Sequence, residues 1–174
     1  NPELATSVGD PRYNHRLSDQ SPAALQRELA WLRAFLARVK AIPLDGLRSE
    51  RRLTRDLLVH LLKVELEAAR FRPWEIPFTQ MGGLHTGFPQ LFSSHPFRTL
   101  KDFEDFHARL RAFPKAMDDA IANARHGMKR GNLPPRLVME ATLRQVRPLA
   151  LGDKGREPFL APLKALPASI GAKD

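Results

Sequence analysis

Residues 99–131 read TLKDFEDFHARLRAFPKAMDDAIANARHGMKRG, and this stretch decides the fold. Phe103, Phe106, Leu110, Phe113, Met117, Ile121, Ala124 and Met128 recur at three- and four-residue intervals. That spacing puts them on one face of an α-helix. The phase runs straight across Pro114, which predicts one long kinked helix or two helices meeting nearly in line. Thr99 and Asp102 form a start like a capping box, with Asp in place of the usual Glu. Gly131 supplies a left-handed stop. No segment of the chain shows the alternation of a strand.

Working outward, the same periodicity recurs. Ser21 suits an N-cap and Pro22 the first helical position. Leu25, Leu29, Leu32, Leu36 and Val39 follow at helical spacing, widened by Trp31 and Phe35, and Ile42-Pro43 ends the run. A second helix is expected from about Ser49 to Arg70, with Leu53, Leu57, Leu61, Val64, Ala68 and Phe71 as its apolar face. The short link from Pro43 to Arg48 makes these two an antiparallel hairpin. Downstream, Pro134-Pro135 opens a helix with Leu137, Ala141 and Val146 inward, ending before Pro148. A polar link follows from Leu149 to Arg156, then a short helix from Pro158 to Leu166 closed by Pro167. The expected fold is an all-α helical bundle of about five to seven helices.

Between the second helix and the quoted stretch lies Arg70–Phe103, RFRPWEIPFTQMGGLHTGFPQLFSSHPFRTLKDF. Connections beyond about 12–15 residues are usually disordered or functional. Disordered segments are poor in aromatics, whereas this one carries Phe71, Trp74, Phe78, Phe88, Phe92 and Phe97. It reads as a long, ordered loop, rich in aromatics and glycine, that shapes a cleft.

Several short motifs occur in order. They are Gly9-Asp10-Pro11-Arg12-Tyr13-Asn14, Gln80-Met81-Gly82-Gly83-Leu84-His85-Thr86-Gly87, His95-Pro96-Phe97 and Asp102-Phe103-Glu104-Asp105-Phe106. Arg109-Leu110, Pro114, Gly127, Gly131 and Pro135 follow. Together they resemble a large bacterial family known as domain of unknown function 885, over nearly all 174 residues. The resemblance implies a mostly helical protein, several times longer than this chain and often exported or lipid-anchored. It also implies a later H-E-x-x-H helix similar to that of thermolysin-like zinc metallopeptidases. In that motif two histidines on one helix face bind zinc and the glutamate polarises the attacking water. The six histidines here are His15, His60, His85, His95, His107 and His126. None is followed by Glu and no two are four apart, so the motif is not in this chain.

By that resemblance, residues 1–174 are a single helical domain or lobe, the N-terminal portion of a zinc metallopeptidase-like hydrolase. The chain begins at Asn1 rather than Met, which implies upstream residues removed or not included. Its role would be scaffold and cleft wall, catalytically inert alone. Zinc and the general base would come from the downstream part, and this chain itself would hold no cofactor and no metal. Its partners would be the remainder of its own polypeptide and a peptide substrate. The rival reading is a non-enzymatic helical binding module of unknown ligand, using the aromatic loop or a basic C-terminal face.

The candidate substrate-cleft residues are Gln80, Gly82, Gly83, His85 and Thr86. Gly82-Gly83 lets main chain approach a ligand closely, and His85 would donate to a substrate carbonyl or an oxyanion. The alternative is a tight turn whose histidine caps neighbouring backbone. His95 is expected to order the entry to the next helix, and His60 to be a partly buried packing residue. His15, His107 and His126 carry no constellation. Asp105 with Arg109 has the favourable i,i+4 order of a surface ion pair. Glu104-Asp105 and Asp118-Asp119 read as solvent-face charges, and no paired-carboxylate site is supported. Asp10, Arg12, Tyr13 and Asn14 form a turn that pins the N-terminus.

Composition narrows the classes. An apolar content of 43% suffices for a core, and zero cysteines excludes disulfides and thiolate zinc sites. No run is apolar enough to span a membrane. The net charge is +9, from 28 basic and 19 acidic residues. From Arg125 to Arg156 eight Lys/Arg face only Glu140 and Asp153. No nucleic-acid-binding module accompanies that excess. It reads as a solvated surface, or as a face covered by the rest of the polypeptide.

Overall fold

A computed structural model describes residues 1–151 of the chain. Among these residues six α-helices follow in order: α1 (Pro2–Ser7), α2 (Pro22–Lys40), α3 (Ser49–Ala68), α4 (Leu84–Ser94), α5 (Leu100–Arg130) and α6 (Arg136–Leu151). Single 3-10 turns occupy Pro11–Tyr13, Ala69–Phe71 and Pro73–Glu75. Among the described residues there is no strand, only an isolated bridge between Thr79 and Gly82. The all-α expectation holds. The rest of the link expected after Leu149, and the short helix expected over 158–166, lie outside the described residues. The described residues divide into two compact units, Gln20–Trp74 and the rest of them.

In the Gln20–Trp74 unit, α2 starts where its sequence signals. Ser21 Oγ accepts the Ala24 N–H at 3.3 Å and Pro22 takes the first helical position. Its inner line, Leu25, Leu29, Leu32, Leu36 and Val39, is the one the periodicity gives. The face of α3 is different. Leu53, Leu57, Leu61 and Val64 are 69, 54, 54 and 50% exposed, whereas Leu62 is buried and Leu58 and Leu66 half-buried. The helix is apolar on two sides, and Arg55 selects one. On the same line as Leu58, Leu62 and Leu66, it donates to the Lys40 carbonyl at 2.8 Å, the C-terminal end of α2. His60, expected to be partly buried, is exposed for the same reason.

In the other unit, the segment expected to be a long loop contains α4. Gly87 and Pro89 argue against a helix there by propensity. Burial overrides them: His85, Phe88 and Leu91 fall on one line and are all buried. Phe88 lies 4.4 Å from the Phe113 ring and Phe92 4.7 Å from Phe106, while Phe97 closes on Phe106 at 5.2 Å. Phe88, Phe92 and Phe97 are therefore core, supplied to α5, whereas Phe71 is exposed.

The long helix is continuous. Its capping box forms as read, with the Asp102 N–H on Thr99 Oγ at 3.3 Å and the Thr99 N–H on Asp102 Oδ2 at 2.8 Å. Gly131 closes it at φ 77°. Pro114, which is exposed, removes one N–H from the ladder, but the helix runs through it unbroken. Pro148 is exposed too, and α6 runs through it to Leu151 rather than ending before it. The buried line of α5 includes Phe106, Arg109, Ala116, Ala120, Asn123 and Gly127, rotated from the large apolar stripe towards small residues that admit close neighbours. Likewise Leu137 is 73% exposed, and Thr142 is buried with Val138 and Val146 beside it.

Asp105 is not a surface partner of Arg109. It is buried and pairs with Lys101 at 2.9 Å. Arg109 is fully buried and spends its donors elsewhere. Nε donates to the Arg16 carbonyl at 2.8 Å, Nη1 to His95 Nδ1 at 3.1 Å and Nη2 to Thr6 Oγ at 2.6 Å. This fastens α1 and the turn after it to α5, a helix and a clasp that the N-terminal sequence did not signal.

Candidate functional site

The backbone folds tightly before α4. Thr79 and Gly82 exchange N–H···O bonds at 2.9 and 3.2 Å, leaving Gln80 and Met81 as a two-residue tip. Gly83 then turns at φ 144°. A Cβ built there would lie 2.6 Å from the Pro77 carbonyl and 2.9 Å from His85 Nδ1, so no other residue fits. Gly82 is different: a Cβ there would meet nothing within 4 Å. Thr86 Oγ donates to the Gly83 carbonyl at 3.2 Å, fixing the first turn.

His85, 5% exposed, meets Gln145 from α6. Gln145 Nε2 donates to the Gln80 carbonyl at 3.1 Å, so its Oε1 faces His85 Nε2, at 3.4 Å. An amide oxygen only accepts. In the neutral ring this contact puts the proton on Nε2 and leaves Nδ1 as an acceptor. Among the described residues, neither His85 Nδ1 nor the buried Gln80 Oε1 meets a donor. Leaving a buried polar atom unpaired costs about 1–3 kcal/mol, so such a pair marks a place where a donor belongs.

The structure thus brings Gln80, Gly83, His85 and Thr86 together around one turn, with Gly82 in the bridge behind the tip. Gln145 was missed by sequence reasoning. Nothing in its own segment signals it, because its partners lie 60 and 65 residues away.

The wall continues through Phe78, edge-on to His85 with ring centroids 6.0 Å apart. Beyond it lies a cavity of about 280 Å³ between the Glu75–Phe78 segment, α5 and α6, with Ile76, Phe78, Ala124, Met128, Leu133 and Met139 among its walls. Glu75 sits at its edge, 4% exposed, accepting from Asn132 Nδ2 at 3.0 Å and facing His126 Nδ1 at 3.4 Å. Gly127 makes this approach possible, since a Cβ there would come within 2.8 Å of Glu75. His126, placed in no constellation by sequence, thereby gains one partner.

The second polar centre is His95, which orders the entry to α5 as expected. Its Nε2 donates to the Asp102 carbonyl at 2.8 Å and its Nδ1 accepts from Arg109. Burial pushes its pKa below the ordinary value, the Arg109 charge pushes the same way, and the bond to Asp102 opposes both. Near the N-terminus, the Arg12 guanidinium holds the Asp10 carboxyl down to about 2.

Among the described residues no three His, Asp or Glu side chains converge to hold a metal. No helix among them is long and apolar enough to cross a membrane. A family model described as "Bacterial protein of unknown function (DUF885)" matches residues 2–174, and the chain belongs to that family. No curated protein and no solved structure matches it.

Proposed function

We propose, from membership of that family and from the geometry around His85, that this chain is the N-terminal helical lobe of a zinc metallopeptidase-like hydrolase. It contributes scaffold and one wall of the substrate cleft, and it is catalytically inert alone. The observation that supports this best is the pair of buried acceptors, Gln80 Oε1 and His85 Nδ1, which meet no donor among the described residues. A peptide backbone carries N–H groups of the kind they lack.

The described residues do not fit zinc, because no set of three ligands converges among them. On this reading the metal and the general base belong to a later part of the polypeptide, and the residues described here bind and orient. Gly83 holds the turn, Gln145 fixes the tautomer of His85, and Phe78 with Pro77 backs the wall.

The test is peptide hydrolysis by the longer protein with and without zinc, and with His85→Ala. Turnover is expected to require zinc and to fall by at least about tenfold in kcat/KM in the variant, the scale of a lost positioning contact. Unchanged turnover in a folded His85→Ala protein would sink the reading. So would hydrolysis by the 174-residue chain alone. The rival, a helical binding module, draws on the exposed Leu53, Leu57, Leu61 and Val64 of α3, since exposed apolar patches mark interaction sites. It predicts no zinc-dependent turnover in the longer protein.

A further inference from the structure

The unit that holds the His85 turn carries another concavity. An open cleft of about 510 Å³ lies between α1 with the turn after it and the end of α4 with its link to α5. Its walls are polar, with Thr6, Ser7, Asn14, Ser93, Ser94 and Arg98 among them. None of the described Asp or Glu side chains lines it.

Asn14 is the informative wall. It is 2% exposed, and its Oδ1 accepts from Thr6 Oγ at 2.8 Å. Thr6 Oγ already accepts from Arg109 Nη2 at 2.6 Å, so it has one proton to give, and Oδ1 is nearer than the Pro2 carbonyl at 3.1 Å. The amide nitrogen of an Asn carries two donors. Asn14 Nδ2 gives neither of them to a described residue. Unlike Gln80 Oε1 and His85 Nδ1, it is not sealed from solvent, and Asn14 lines the cleft. A second donor stands at the same wall. The main-chain N–H of Arg98 donates to Asp102 Oδ2 at 3.0 Å, while its exposed guanidinium meets no acceptor among the described residues.

We propose that this cleft binds a small oxyanion, a carboxylate or a phosphate, with Asn14 Nδ2 as donor from its wall and Arg98 as the charge. The inference is independent of the cleft-wall reading, since it uses other residues and does not involve hydrolysis.

The chemistry of the walls selects the ligand. A cation would meet Arg98 with no carboxylate to receive it. The neighbouring ones are engaged, Asp10 by Arg12 at 2.7 Å and Asp102 by the Thr99 N–H at 2.8 Å. An apolar group would cover Asn14 Nδ2 without offering an acceptor, which is unfavourable for a buried donor. An oxyanion satisfies both donors, and charge-assisted bonds are the stronger kind. The guanidinium fork matches carboxylate and phosphate alike. A volume of about 510 Å³ also leaves room for an organic group attached to the anion.

The test uses the 174-residue chain labelled with nitrogen-15. It is titrated at neutral pH with sodium phosphate and, separately, with sodium acetate, with sodium chloride holding the ionic strength constant. Saturable shifts are expected at the Asn14 side-chain amide and the Arg98 Nε–H. Tighter binding of phosphate would point to a phosphate ester as the source of the anion, and tighter binding of acetate to a carboxylic acid. Asn14→Asp keeps an oxygen for Thr6 and replaces the donor with a second acceptor. It should weaken binding at least about tenfold, the scale of one hydrogen bond to a charged group. Should that variant fail to fold, Arg98→Gln at its exposed position should weaken binding by a similar factor. Arg33→Gln, which removes the same charge from α2, should leave it unchanged. No saturation at tens of millimolar of either anion, unweakened binding in a folded Asn14→Asp, or equal losses in Arg98→Gln and Arg33→Gln would each overturn the site.

Discussion

Arg109 Nη1 donates to His95 Nδ1 across 3.1 Å, inside the aromatic cluster formed by Phe97 and Phe106. A guanidinium can only donate, so the bond exists only while His95 is neutral. The Asp102 carbonyl takes the ring's single proton on the other side, at 2.8 Å. One permanent cation and one backbone carbonyl thus fix the protonation state of a buried histidine.

Acid should loosen this arrangement. His95 has a folded-state pKa below its ordinary 6.5, chiefly through burial. Between those two values the unfolded chain binds more protons than the folded one, so stability falls as pH falls. The contribution is complete above about pH 6.5 and is lost as pH drops through the folded value. Melting temperature should therefore decline on the acid side of pH 6.5, and His95→Gln should flatten that decline. A wild-type melting temperature that stays level from pH 7 to pH 5 would contradict it.

Removing the cation should damage the fold more than removing any single apolar group. Arg109→Met keeps the length but leaves the Arg16 carbonyl, Thr6 Oγ and His95 Nδ1 without their donor. Urea denaturation should show a loss of about 3–5 kcal/mol, the range for breaking a buried charged network. Arg109→Lys should recover only part of it, since one ammonium cannot serve the three directions of the fork.

Three glycines should respond differently to alanine. Gly83→Ala meets the Pro77 carbonyl at 2.6 Å in a backbone conformation that side chains avoid, and Gly127→Ala meets Glu75 at 2.8 Å. Each should lose about 1–3 kcal/mol. Gly87→Ala has open space and ordinary helical geometry within α4. It should gain about 0.5–1 kcal/mol. Thermal unfolding of the three variants side by side checks the ordering, and a stabilising Gly83→Ala would mean the turn is misdescribed.

The two sides of α3 offer a contrast within one helix. Leu62 is buried and Leu57 is 54% exposed. Leu62→Ala should cost about 2–4 kcal/mol and Leu57→Ala no more than about 0.5 kcal/mol. Equal losses would show that the outer stripe is covered.

Helix positions were legible where local chemistry sets them. Ser21 with Pro22, Thr99 with Asp102, and Gly131 act within a few residues, so α2 and α5 begin or end as their sequences indicate. The faces were less legible, because periodicity says that α3 has an apolar side without saying which of its two sides is covered. Helix α4 was hidden by Gly87 and Pro89, whose local preferences lose to the burial of Phe88 and Leu91. At the candidate site, Gln80, Gly83 and His85 could be singled out because they are neighbours in the chain. Gln145 could not, and with it the direction of the His85 proton was out of reach. The same holds for Arg109, whose i,i+4 spacing with Asp105 suggests a surface pair until tertiary contacts claim its donors.

The Arg109 clasp also has a bearing on the order in which the chain acquires structure. Its bonds to Arg16, Thr6 and Pro2 join residues 93, 103 and 107 positions apart. During synthesis α1 emerges long before its partner exists, while α2 and α3, neighbours in sequence, can pair at once. Contacts that close long stretches of chain form slowly. The segment around α1 therefore stays unsatisfied until Arg109 has been made, and its native position is set by the middle of the chain.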